Sequence, residues 1–178
     1  GSSSTFVVVS DRRRDSFYEH PWSLVAPTVL QLKEQIEQYA GGRLEQLIQE
    51  IGRTTHTGED DVFYMPRSAC STRLLLDSSV PLVVGEDVRD FRIRPATWSL
   101  FPYDRRTAAP LSILNTSLTR HFWMYRTILR LRLDYGQQPE ERGLRWYDHS
   151  MFFPSRFRRE LSIAFPEVAT HNHFVVDR

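Results

Sequence analysis

The apolar residues of this chain come in short, punctuated runs, and that spacing restricts it to short elements. Residues 5–10 (TFVVVS) are β-branched and apolar, which suits a strand. Val62-Phe63-Tyr64-Met65 and residues 80–84 (VPLVV) are further strand candidates. Phe91-Arg92-Ile93-Arg94 alternates apolar and basic side chains, as a half-buried strand does. Residues 98–101 (WSLF) form another, stopped by Pro102, and 161–165 and 174–176 close the chain as strands. No run approaches the roughly 20 apolar residues that a membrane span needs.

Helical spacing occurs in three places. Pro27 lacks an N–H that a first helical turn would leave unpaired, so it can open a helix running through Leu32 and Ile36 to Tyr39. Beyond Gly41-Gly42, Leu44, Leu47, Ile48 and Ile51 keep the i, i+3, i+4, i+7 pattern, with Gly52 as the expected C-cap. A third helix is expected over 117–132, with Leu118, Phe122, Tyr125 and Leu129 as its inward stripe. Residues 136–143 form a polar loop and 146–153 an aromatic-rich stretch. Helices and strands mix without repeat or βαβ regularity. The expected class is α+β: mixed short-stranded sheets with about three helices in a single compact domain.

A length of 178 residues with 40% hydrophobic content fits one such domain or two very small ones. Gly1-Ser2-Ser3-Ser4 reads as a cloning scar, with no signal peptide visible. That leaves 5–178 as the domain, in which 5–50 can serve as a helical lead-in. One cysteine, Cys70, excludes an intrachain disulfide and suits a reducing cytoplasm. Net charge is +1, but every one of the 23 basic residues except Lys33 is arginine. Arginine offers a planar fork that fits phosphate and guanine edges. A GC-rich genome produces the same bias.

On the third helix, Thr119, Trp123, Arg126 and Arg130 fall at i, i+4, i+7 and i+11, with Arg120 beside them. An arginine stripe with an aromatic can track phosphates or stack on bases; the alternative is a solvated face. The loop over 52–61 is dense in hydrogen-bonding groups. There Arg53 and His56 are candidates for base readout, against a capping and turn network. His171-Asn172-His173, with His149 and Asp148, has the look of a metal set, but a metal needs further ligands in suitable geometry. Structural histidines are the commoner case, so no metal site is expected. Asp60, Asp61, Glu86 and Asp87 could supply a nuclease's acidic pair, but the only lysine, Lys33, is far away in sequence. Cys70 sits in no reactive signature, and neither a glycine-rich phosphate loop nor a nucleophile elbow is present.

Five segments in order carry a resemblance: 51–66 (IGRTTHTGEDDVFYMP), 81–93 (PLVVGEDVRDFRI), 97–104 (TWSLFPYD), 146–153 (WYDHSMFF) and 162–178 (SIAFPEVATHNHFVVDR). This set resembles the region after the catalytic domain in large bacterial adenine-specific DNA methyltransferases. These are the PglX-like enzymes of BREX and DISARM-like phage-defence systems and of related restriction–modification systems. The family's Asn/Asp-Pro-Pro-Tyr element and its Phe-x-Gly-x-Gly turn are absent here. A methyltransferase must flip its base into a pocket beside the methyl donor, and those two elements form that pocket. The resemblance therefore implies a non-catalytic, target-recognition part of such an enzyme. S-adenosylmethionine is expected for the parent protein and no cofactor for this chain. Family members continue with glycine-rich sequence beyond the position of Arg178, so an excised piece is expected.

The implied partners are double-stranded DNA, the catalytic domain of the same protein and other defence-system subunits, in the cytoplasm and without a membrane. The residues expected to touch DNA are Arg53, His56, Arg120, Arg126 and Arg130. The alternative function is a protein-interaction module of a phage-defence complex, anchored by Trp22, Trp123, Trp146 and Phe152-Phe153. A third reading is a small metal-dependent enzyme using His149, His171 and His173.

Overall fold

The computed structural model describes residues 2–3, 8–9, 11–18, 22, 24–168 and 173–177. The chain divides into two compact units, Gly1–Ile51 and Gly52–Arg178.

In the first unit, strands β1 (Ser2–Ser3) and β2 (Val8–Val9) pair antiparallel. Thr5, Phe6, Val7 and Ser10 of the expected first strand lie outside the described residues. Helix α1 covers Pro27–Tyr39, as the proline and the apolar spacing predict. The helix expected over 44–51 is corrected to a single 3₁₀ turn, Leu44–Gln46. Its apolar stripe finds no surface to cover: Leu47 is 82% exposed and Ile51 64%. A helix of two turns is unstable without such burial. Gly52, with φ of 146°, does not adopt the left-handed cap conformation.

The second unit mixes small antiparallel sheets with short helices, the expected α+β class. Its largest sheet places β8 (Thr97–Leu100) between β4 (Tyr64–Pro66) and β5 (Ser79–Leu82). Strand β3 (Thr55–His56) pairs with β9 (Met151–Phe152), and β6 (Val88–Arg89) with β7 (Arg92–Ile93). Strand β10 (Ser162–Ala164) pairs with β11 (Val175–Asp177). The strand expected over 62–65 is corrected at its start: Val62 and Phe63 end a helical turn, α2 (Asp60–Phe63), and the strand begins at Tyr64. Thr57 donates its hydroxyl to Asp60, and two carboxylates in the first turn favour a helix start. Helix α3 (Arg67–Thr72) follows and buries Cys70.

The expected third helix is two helices, α4 (Thr116–Met124) and α5 (Arg126–Leu131). They meet at Tyr125, whose φ of −105° and ψ of 12° leave the helical region. Asn115 caps α4, its side-chain oxygen accepting the Leu118 N–H at 2.9 Å. The inward stripe survives the break. Leu118, Phe122 and Leu129 are fully buried with Val62, Phe63, Met65, Cys70, Leu75 and Leu100, and Tyr125 packs against them. A second cluster is aromatic. Phe101 stacks on Phe157 at 4.7 Å, and Tyr103 on Phe152 at 4.3 Å, the latter from β9, just before α6 (Pro154–Phe157).

Polar groups are threaded between the two clusters. His149 is fully buried, with Nε2 3.0 Å from the Leu100 carbonyl and Nδ1 2.6 Å from the Thr55 hydroxyl. A carbonyl can only accept, so Nε2 carries the proton. Burial lowers this imidazole from its ordinary 6.5 to about 4, against the opposing pull of the Leu100 bond; the single proton of the Thr55 hydroxyl is shared between Nδ1 and the Met151 carbonyl, 3.0 Å away. Gly58, with φ of 79°, lets the chain pass close to Ser150: a Cβ there would sit 2.2 Å from the Ser150 hydroxyl.

Two predictions follow from this packing. Between pH 6.5 and 4 the unfolded chain binds a proton at His149 that the folded chain does not. His149 should therefore leave stability undiminished above pH 6.5 and subtract increasingly as pH falls towards 4, by roughly 3 kcal/mol in all at about 1.4 per pH unit. Thermal melts across that window test the trend, and an NMR titration showing the His149 ring protonating above pH 5.5 would contradict it. Gly58→Ala should destabilise by well over about 1 kcal/mol, because strain and collision add. Gly136→Ala, at the same φ of 79° with open space around it, should lose only the backbone part. Equal losses in denaturant melts would rule out the Ser150 contact as the cause.

Candidate nucleic-acid interface

With Leu118, Phe122 and Leu129 turned inward, α4 and α5 present Thr119, Arg120, Trp123 and Arg126 on the other side. His121 is held inward as well. Its Nε2 lies 3.0 Å from the Val62 carbonyl, and burial lowers its pKa, the Val62 bond opposing the shift. Trp123 remains 64% exposed. The Arg126 guanidinium lies over the Trp123 ring at 5.1 Å from its centroid, a cation–π pair. Arg120 is exposed and has no ion pair among the described residues. Leu114, Thr116, Thr119, Arg120, Trp123 and Met124 line an open groove of about 390 Å³.

The expected contact residues divide into two groups. Arg120 and Arg126 flank Trp123 on one face. Arg130 belongs to α5 but is already committed: its Nε and Nη2 donate to the same Glu140 carboxylate oxygen at 3.2 and 2.8 Å. Arg53 and His56 belong to a different element. His56 is half-buried in β3 opposite Met151. Arg53 is exposed, 3.7 Å from Glu167, and its carbonyl accepts from Arg156 at 2.8 Å. Among the described residues, no hydrogen bond, ion pair or ring contact joins Arg53 or His56 to Arg120, Arg126 or Arg130.

The loop over 52–61 serves as a turn network in part: Thr55 bonds His149, Thr57 bonds Asp60, and the Glu59 carbonyl opens α2. The metal reading loses two of its ligands. Both ring nitrogens of His149 are engaged inside the core. The Asp148 carboxylate is buried and held by Arg145, with Nη2–Oδ1 at 2.5 Å and the Arg145 backbone N–H on Oδ2 at 2.9 Å. His171 and Asn172 lie outside the described residues, and His173 is half-buried. Among the described residues no cluster of His, Cys, Asp and Glu is close enough to hold a metal.

One charged feature lies outside the five expected contact residues. Arg89, Arg92 and Arg94 surround the turn of the β6–β7 hairpin, with Phe91 at its tip. The signal was the sequence Val-Arg-Asp-Phe-Arg-Ile-Arg, which also fits an ordinary half-buried strand.

No family model matches the sequence. Over 183 aligned positions the chain is 32% identical to the adenine-specific methyltransferase PglX of Streptomyces coelicolor. The alignment spans 100% of the chain but 15% of that much longer protein. The chain is therefore related to one segment of an adenine-specific methyltransferase.

Proposed function

We propose that this chain recognises double-stranded DNA as the target-recognition part of an adenine-specific DNA methyltransferase of a bacterial phage-defence or restriction–modification system. The observation that carries the reading is the similarity along the whole chain to one segment of such an enzyme, in a sequence without the motifs of methyl transfer. Binding S-adenosylmethionine and moving the methyl group then belong to the rest of the parent protein, in the cytoplasm. This chain supplies grip and choice of site. Arg120 and Arg126 contact phosphate, and the exposed Trp123 ring gives that face a flat surface beside the sugar–phosphate backbone. Arg130 contributes less, since it must first release Glu140. Arg53 and His56 act as a second, separate contact.

A second reading draws on the groove beside Trp123. An exposed tryptophan next to exposed Met124 also suits a protein partner, such as another subunit of the defence complex. Trp123→Ala would then abolish capture of that subunit while leaving duplex binding intact.

Fluorescence polarisation with random-sequence duplex DNA separates the two. Affinity should fall steeply between roughly 50 and 200 mM salt, because each neutralised phosphate releases counterions. Replacing Arg120 and Arg126 together with alanine should weaken binding to every duplex and flatten the log–log salt slope by roughly 1.8, about 0.9 per lost phosphate contact. An affinity indifferent to salt sinks the DNA reading, and an unchanged slope in the double variant moves the contact elsewhere.

A further inference from the structure

The β6–β7 hairpin breaks three rules of hairpin stability at one place. Its two turn residues, Asp90 and Phe91, both have positive φ, 51° and 58°. That is the two-residue turn which favours Asn and Gly, and a bulky ring is out of place there. Arg89 and Arg92 are cross-strand partners, and like charges directly opposite repel. Phe91 is 75% exposed. Arg89, Arg92 and Arg94 are exposed too, and none has an ion pair among the described residues.

The base of the hairpin is built the opposite way. Val88 is buried and pairs with Ile93. The Arg94 N–H donates to the Asp87 carbonyl at 3.0 Å. The Asp87 carboxylate accepts the N–H groups of Val84 and Ala96 at 3.0 and 3.3 Å. A firm base thus holds out a tip on which an exposed aromatic ring and the Asp90 carboxylate stand between Arg89 and Arg92, neither of which has an ion pair among the described residues.

Such a tip is complementary to a polyanion with stacked flat rings. We propose that the hairpin enters the minor groove of duplex DNA, with Arg89 and Arg92 against phosphates and the Phe91 ring wedged between neighbouring base pairs. Apolar wedges used in this way unstack a base step and kink the duplex, and arginines beside them hold the backbone. The loss of stacking is offset by the contacts that the bent duplex makes. The inference rests on the duplex reading above and adds a site and a mode of contact. For a methyltransferase part, it assigns a residue that loosens the stack from which a target base must leave.

The test uses the whole chain and duplexes carrying 2-aminopurine at successive positions, a base analogue whose fluorescence rises when it is unstacked. The unaltered chain should raise fluorescence at one step. Phe91→Ala and Phe91→Gly should abolish the rise and lower affinity, while the salt slope stays. Phe91→Gly guards against misfolding, since glycine adopts this φ without strain and should melt no lower than the parent. Arg89→Gln with Arg92→Gln should flatten the salt slope by roughly 1.8. Steep binding with no rise, or with a rise that Phe91→Gly leaves untouched, overturns the wedge and spares the duplex reading. An absence of salt-dependent duplex binding in the parent overturns both. If the double arginine variant instead loses an acidic protein partner and keeps its duplex slope, the tip is a protein contact and the wedge is wrong.

Discussion

The guanidinium of Arg132 is buried without a carboxylate, and the second unit is arranged around making that tolerable. Taking an unpaired charge out of water is costly unless hydrogen bonds replace the lost solvent. Here Nη1 donates to the Thr57 carbonyl at 2.9 Å and Nη2 to the Asp148 carbonyl. The group also lies over the Phe63 ring at 5.8 Å. Burial lowers its pKa, and Tyr103, Glu59 and Asp148 oppose that shift. Only a planar fork reaches both carbonyls, so lysine would not substitute. One side chain at the end of α5 thereby pins the loop that opens α2 and the turn that leads into β9.

The neighbouring polar groups extend the same clamp. Asp148 holds Arg145, the His149 N–H donates to the Tyr103 hydroxyl at 2.9 Å, and the His149 ring joins Thr55 to Leu100. Apart from Arg132 Nε, which has no hydrogen-bond partner among the described residues, these buried polar groups satisfy one another, which makes the set stiff and unforgiving of single losses. Two of the segments that carry the resemblance, around Thr57–Asp60 and His149–Phe152, are therefore largely frame. Likeness in these segments speaks for shared architecture. On the proposed DNA reading, grip on the duplex then falls to side chains that the frame leaves outside, among them Arg120, Arg126 and the hairpin tip.

The sequence revealed the elements whose apolar residues share one burial face. The stripe Leu118–Phe122–Leu129 was legible because spacing alone defines a helical face, whereas α1, which buries none of its residues, was legible from Pro27 and its spacing. The middle strand β8 was legible from Trp98–Leu100 and the stop at Pro102. The turn at Asp60–Phe63 was not, since two adjacent buried apolar residues fit a strand or a helix end equally well. The false helix over 44–51 had the right spacing but no surface to cover. The break at Tyr125 also left no trace, because it preserves the inward stripe on both sides. For the site, the pairing of Trp123 with Arg126 followed from helical spacing. The capture of Arg130 by Glu140 needed a loop whose path no local pattern predicts.

The hairpin tip shows why a local pattern can conceal a surface. Phe91 and Ile93 stand two apart, so a strand would turn both to one side and bury them together. The structure instead puts Phe91 into the turn, where alternation ends: Ile93 stays with the base and the ring points outward to solvent. Two bulky or charged residues in the left-handed region cost of the order of 1–3 kcal/mol each. Relaxing them would move Asp87 or Arg94, and with them the carboxylate that closes the Val84 and Ala96 N–H groups. The clamp at the base therefore over-determines the tip. Glycine at position 91 would remove much of the strain, and on the proposed wedge the phenylalanine is kept there for the ring it holds out to solvent.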